Sequence, residues 1–155
     1  MKKLIIFLAF LAAIVLANWL YLKSQTSDQY LGIPAVPCQD YTKPVLQNFT
    51  LTVKISINGS NEPLAPNIGH DYGDCLRAIY TNDASGTVYV KANTSQPYTL
   101  GDFFDVWRMI FNRTEVLNHN TRGGQLITVT VNGQPVQTYE NTALKPNETI
   151  SIVYQ

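Results

Sequence analysis

The stretch GHDYGDCLRAIYTNDASGTVYVKANTSQPYTLGDFFDVWRMIF, residues 69–111, decides the fold. It holds a cysteine, a tight turn, a strand and the clearest helix that follows the amino-terminal segment. The run Asn82 to Gly86 has the composition of a turn, and residues 87–91 (TVYVK) have that of a strand. Residues 75–80 (CLRAIY) fit either a strand or a short helical turn. The end of the stretch predicts the helix around which we expect the chain to pack.

This central helix is predicted from Leu100 to about Asn112. Thr99 has the chemistry of an N-cap, and Asp102, three residues on, can accept a hydrogen bond from a free backbone N–H group. Apolar residues then recur at spacings of three and four, which gives one face of a helix of about three turns an aromatic stripe. The stripe comprises Leu100, Phe103, Phe104, Trp107, Ile110 and Phe111, and the opposite face comprises Gly101, Asp102, Asp105, Arg108 and Asn112.

Strands are predicted on both sides of the helix. Residues 49–57 (FTLTVKISI) alternate apolar and polar side chains and run into an Asn-Gly turn. Residues 126–131 and 136–139 flank Asn132-Gly133, which is a strong hairpin signal, and residues 149–154 (TISIVY) form a last strand. One sheet packed on one helix is the economical arrangement, so we expect an α+β domain of β-grasp character.

The amino-terminal segment predicts a membrane anchor. Lys2 and Lys3 precede the apolar residues 4–22, which approximately span a hydrocarbon core of about 30 Å. Lysines before the span favour a cytoplasmic amino terminus and an extracytoplasmic carboxy-terminal domain. The alternative is a signal peptide cleaved after Ala17. We divide the chain into an anchor (1–23), a linker with a proline-rich segment (24–47) and a β-rich extracytoplasmic domain (48–155).

Charge and sequons agree with an extracytoplasmic location. The 155-residue chain has a net charge of zero, and no basic stripe follows the anchor, so nucleic acid is not an expected partner. Sequons of the form Asn-x-Ser/Thr predict a glycosylated surface protein. They lie at Asn48, Asn58, Asn93, Asn112 and Asn147.

Cys38 and Cys75 are the two cysteines of the chain. In an oxidising compartment such a pair is expected to form a disulfide. The alternative is a pair of thiolate metal ligands, with His70 as a weak third candidate for a copper-type site. His119 lies in a polar connection and is expected to be solvated. We expect no bound metal and no cofactor.

Catalytic chemistry finds little support in the sequence. Asp71 with Asp74, and Asp102 with Asp105, are the carboxylate pairs that could carry general acid–base work. We interpret Asp102 as a helix cap and Asp105 as solvated. The chain has no phosphate loop, haem-attachment motif or nucleophile elbow. We therefore expect no enzymatic activity, and a hydrolase using the paired aspartates is a third hypothesis.

Several motifs of the ectodomain occur in a fixed order: Gly32-Ile33-Pro34 with Cys38, Ile57-Asn58-Gly59, Ile68-Gly69, Cys75, Asn82 to Gly86, and Tyr98 to Trp107. In this order the chain resembles a group of uncharacterised secreted or membrane-anchored prokaryotic proteins, and the resemblance supports the fold. Together with the sequons, which archaea glycosylate, the prokaryotic resemblance predicts an archaeal cell surface. In those relatives the first strand has a pattern similar to H-x-H-x-H-L. The segment after the second cysteine is similar to L-H-T-H-D, and the strand that follows it is similar to I-H-I-E. None of these histidines is present here, which argues against carrying a metal function over. Their positions hold Asn48, Thr50, Thr52, Tyr80, Asn82 and Tyr89, and Lys91 replaces the glutamate.

The functional expectation is a single-pass, membrane-anchored surface protein. Its partners would be the bilayer, through residues 4–22, and a protein of the membrane or cell envelope. The domain would act as a non-catalytic interaction module or as an accessory subunit of a surface assembly. Tyrosines on an exposed strand face would suit contact with a protein or a glycan. The alternative is a metal-handling protein with a copper site remodelled around His70 and the cysteines.

Overall fold

The computed structural model describes residues 35–155, and its contacts divide the chain into two units, residues 1–33 and residues 34–155. The predicted anchor at residues 4–22, and most of the predicted linker, lie outside the described residues. Among residues 35–155, no helix has the length and apolar character that crossing a bilayer requires.

The described chain is rich in short strands and has one α-helix, so the α+β expectation is confirmed. The helix is α1 (Leu100–Trp107). The strands are β1 (Gln47–Ile57), β2 (Ser60–Glu62), β3 (His70–Asp71), β4 (Cys75–Leu76), β5 (Ile79–Tyr80), β6 (Thr87–Ala92), β7 (Phe111–Asn112), β8 (Glu115–Val116), β9 (His119–Asn120), β10 (Ile127–Val131), β11 (Gln134–Val136) and β12 (Thr149–Tyr154).

The main sheet has the order β11-β10-β12-β1-β6-β5, and β2 pairs with the second half of β1. Its two central strands, β1 and β12, are parallel, whereas the other neighbours are antiparallel. The Asn58-Gly59 and Asn132-Gly133 turns lie where the sequence predicts them, with both residues of each at positive φ. The second strand of this hairpin is predicted at residues 136–139 but lies at Gln134–Val136, directly after the turn. The predicted bounds are therefore wrong, and Tyr139 begins a 3-10 helix.

Alternating side chains give this sheet one apolar face. Leu51, Val53, Ile55 and Ile57 of β1 are buried, and the residues between them are half-buried or exposed. β6 and β12 repeat the pattern, and their inward residues join the same buried cluster as Phe103 of α1. The helix therefore completes a single core against the apolar face.

Helix α1 begins where it is predicted to begin and ends earlier. Thr99 Oγ1 accepts from the N–H of Asp102, whose carboxylate accepts from the N–H of Thr99. At the other end Arg108 is left-handed, with a φ of 60°. The N–H of Arg108 bonds to the carbonyl of Asp105 and that of Met109 to the carbonyl of Phe104, which is a Schellman stop.

The predicted extension of the helix to Asn112 is therefore wrong. Phe111 is buried as predicted, but it belongs to β7 rather than to the helical stripe, and Ile110 lies outside any regular element. β7, β8 and β9 form a small antiparallel sheet. β7 replaces the predicted end of the helix, and β8 and β9 lie in the segment that the sequence predicts as a polar connection. Val116 of this sheet is fully buried, so the small sheet is part of the core.

Candidate binding surface

The two cysteines are bonded to each other, as predicted, with their Cα atoms 5.2 Å apart. Cys38 lies in the irregular segment before β1, and Cys75 begins β4. Because each sulfur is bonded to the other, neither is a thiolate in this structure. The disulfide therefore serves as a link between that segment and the domain.

We call residues 36–46 the strap. Its first part runs antiparallel to residues 75–78, with the N–H of Ala78 bonded to the carbonyl of Pro37 and that of Gln39 to the carbonyl of Leu76. Val36 is 2% exposed, so the strap also contributes to the core. Beside the disulfide the strap borders a pocket of about 180 Å³, which is the size of a few water molecules.

Asp71 is committed to an ion pair. The Oδ2 atom of Asp71 accepts hydrogen bonds from Nε and Nη2 of Arg77, at 2.9 and 2.7 Å. The remaining nitrogen of the guanidinium group, Nη1, donates to the carbonyl of Val36. The exposed Arg108 approaches the other carboxylate oxygen at 3.4 Å. Asp74 is exposed at the tip of the same loop. The structure therefore gives the half-buried Asp71 the role of counterion to the buried Arg77, and it does not place Asp74 in a shared acid–base site.

The second carboxylate pair also has structural roles. Asp102 completes the capping box of α1. Asp105 is largely exposed on the helix; partial burial of its carboxylate, and secondly the charge of Asp102, raise its pKa above the usual value. The Asp102 carboxylate is therefore engaged in helix capping by Thr99 rather than free to act with Asp105 as an acid–base pair.

The histidines are separate from each other. The rings of the exposed His70 and of Tyr80 are nearly perpendicular, with centroids 5.8 Å apart, and the centroids of the His119 and Tyr154 rings are 5.3 Å apart. Within residues 35–155, no three histidine, cysteine, aspartate or glutamate side chains cluster as a metal site would require.

The sequons differ in what their asparagines do. Asn48, Asn58 and Asn147 are exposed. Asn112 is half-buried, and its Oδ1 accepts from the backbone and hydroxyl of Thr114. Asn93 holds the strap, because its Oδ1 accepts from the N–H of Asp40 and its Nδ2 donates to the carbonyls of Lys43 and Pro44. A glycan on Nδ2 of Asn93 would take one of these donors away.

The sheet has a second face, which we call the outer face. It consists of the outward side chains of β1, β6, β10 and β12, together with Tyr80 of β5, all of them half-buried or exposed. Threonine and serine dominate this set: Asn48, Thr50, Thr52, Lys54, Ser56, Tyr80, Thr87, Tyr89, Lys91, Thr128, Thr130, Thr149, Ser151 and Val153. The strand register places Thr149 of β12, Thr52 of β1 and Thr87 of β6 side by side in one row.

Two tyrosines stack at one side of the outer face. Tyr80 and Tyr89 are cross-strand partners, with ring centroids 5.1 Å apart and planes 12° from parallel. The pKa of Tyr80 is raised above its usual value, mainly by burial of the phenol and to a smaller extent by the neighbouring Tyr89 and Tyr41. Like any tyrosine phenol at neutral pH, the Tyr80 hydroxyl is protonated and can donate a hydrogen bond.

The pairing also brings together outward residues that lie far apart in the sequence. Asn48 pairs with Lys91, and Thr50 pairs with Tyr89, which in turn pairs with Tyr80. Strand alternation alone identifies the outward residues of each strand. The neighbours across strands were missed by sequence reasoning, because pairing between strands distant in sequence leaves no local signal.

No protein-family model, no curated protein and no solved structure shows a significant match to this chain.

Proposed function

We propose that this chain is a single-pass, membrane-anchored surface protein whose β-rich domain is a non-catalytic interaction module. The observation that carries the proposal is the outer face, a broad, nearly uncharged sheet surface that bears hydroxyl groups and two stacked tyrosines. Tyrosine and small hydroxylated residues are the side chains that binding surfaces use for adaptable polar contact at low entropic cost. The domain would act alone or as an accessory subunit of a surface assembly.

The β-grasp character is part of the same proposal. It is supported by the order β11-β10-β12-β1-β6 with the central pair parallel, and by the place of α1 in the chain between β6 and β10. In this arrangement the helix covers one face of the sheet and leaves the other to a partner.

Display outside the cell is supported by the apolar residues 4–22 behind two lysines, the sequons and the disulfide. Protease treatment of intact cells that express the full chain tests this display. We expect the chain in the membrane fraction, with residues 48–155 removed by external protease. A chain that stays intact until the cells are lysed would contradict the orientation, and a mature amino terminus near Asn18 would contradict the anchor.

Use of the outer face is tested by photo-crosslinking in living cells. A photoreactive residue at Thr50 or Thr128, both exposed on this face, should give adducts of higher mass. The matched control is Lys145, which is exposed in the turn before β12. Adducts from Lys145 alone would contradict the assignment of the interaction to the outer face.

A further inference from the structure

The charge of the outer face is unusual because it has one sign. Lys54 and Lys91 are its charged residues, and no aspartate or glutamate occupies an outward position of β1, β6, β10 or β12. None of the ion pairs between residues 35 and 155 includes either lysine. An anion that binds either ammonium group would therefore displace no carboxylate from it.

The two lysines mark the ends of a track along β1. Lys91 pairs with Asn48, which lies six residues before Lys54, so the track is about 20 Å long at the usual rise per strand residue. Between its ends lie the outward pairs Thr50–Tyr89 and Thr52–Thr87. A monosaccharide or a single inorganic anion is too short to meet both ammonium groups. An extended polymer can meet both and also contact the hydroxyl groups between them.

The side chains between the lysines suit a sugar polymer. Each threonine hydroxyl both donates and accepts a hydrogen bond, as does the phenol of Tyr89, and sugar hydroxyls have the same dual character. Two isolated ammonium groups on a face without arginine favour a ligand of low charge density. A carboxylate on each sugar meets that condition better than the denser charge of a sulfated polymer.

We propose that the outer face binds an extended polysaccharide that carries carboxylate groups, a polyuronate, along the track between Lys91 and Lys54. The proposal rests on the proposed display of this domain outside the cell, where such polymers occur. It deepens the interaction module by naming its ligand class.

The test uses the full chain in nanodiscs, with polygalacturonate, dextran and dextran sulfate immobilised as probes. We expect binding to polygalacturonate at least about tenfold tighter than to dextran, and weaker binding as salt is raised. Binding of dextran as strong as that of polygalacturonate would overturn the role of the lysines. Tighter binding of dextran sulfate would overturn the choice of a carboxylated ligand.

The variants locate the site. Lys54→Glu with Lys91→Glu should weaken binding of polygalacturonate at least about tenfold, since each reversal replaces an attraction by a repulsion. The control, Arg122→Glu with Lys145→Glu, makes the same change in net charge at exposed positions off the outer face and should retain affinity. Equal losses in both variants would overturn the track as the site. Thr52→Val, which removes one hydroxyl and keeps the side-chain shape, should weaken binding with no change in thermal stability.

Failure of the polyuronate proposal can be distinguished from failure of the proposed interaction module. If protease treatment of cells confirms the display and no polysaccharide binds, the polyuronate proposal is wrong and the interaction module stands. A crosslink from Thr50 to a protein, together with absent polysaccharide binding, would likewise reject the polyuronate in favour of a protein partner.

Discussion

At the scale of single residues, Arg77 shows how the domain accommodates a buried charge. The residue is 7% exposed, and its guanidinium group spreads its donors over the Asp71 carboxylate and the carbonyl of Val36. Desolvation of an arginine is tolerable only with such partners. The same contacts tie the strap to β3, so the charge also fixes the position of a segment with little regular structure.

Asp71→Asn removes the negative charge that pairs with Arg77 and should destabilise the domain by about 3 kcal/mol. This value is near the lower end of the range for a broken buried ion pair, because Asp71 itself is partly exposed. The measurement is the free energy of unfolding in urea. The control is Asp74→Asn in the same loop, where the exposed residue has a φ of 61° that asparagine tolerates, and we expect little change. Equal stability of the two variants would contradict the assigned role of Asp71.

The disulfide is the second feature at this scale. Reduction should lower the free energy of unfolding by about 2–5 kcal/mol, because the cross-link restricts the unfolded chain and the strap loses its covalent link. Denaturation with and without a reductant measures the effect. The double variant Cys38→Ser, Cys75→Ser is the control and should not respond to reductant. Two reactive thiols in the denatured, unreduced protein would contradict the bond.

At the scale of elements, the start of α1 is stabilised by capping hydrogen bonds that the sequence predicts. Thr99→Ala removes the hydroxyl that accepts from the N–H of Asp102 and should cost about 1 kcal/mol of stability. Thermal or urea unfolding measures this loss. Ser95→Ala, in the exposed segment before the cap, should change stability by much less. A loss no greater than that of Ser95→Ala would show that the capping box contributes little.

Local signals decide how much of these elements is predictable. The Asn-Gly turns and the Thr99 cap depend on residues next to each other in sequence, and the structure has both where the sequence places them. The end of α1 depends on Arg108 adopting a left-handed conformation, which favours glycine, so the apolar spacing of Ile110 and Phe111 wrongly extends the helix. The strands of the small sheet are each two residues long, which is too short for an alternating pattern.

At the scale of the whole molecule, long-range pairing produces the candidate surface. β1 and β12 lie at opposite ends of the described chain and are parallel neighbours at the centre of the sheet. Their outward threonines and serines become one surface only through that pairing. Alternation in the sequence predicts which residues belong to this surface. Which of them become neighbours is decided by the pairing of strands in the fold.

Mapping of chemical shifts tests most directly whether the outer face is the binding surface. Amide and methyl resonances of the full chain in detergent micelles would be followed by NMR while a polygalacturonate oligosaccharide is added. We predict shifts concentrated on β1 and β6, with the largest at Thr50, Thr52 and Tyr89. The resonances of α1 and of the small sheet should stay unchanged. Shifts confined to α1, the small sheet or the strap, or no shifts at saturating ligand, would contradict the account.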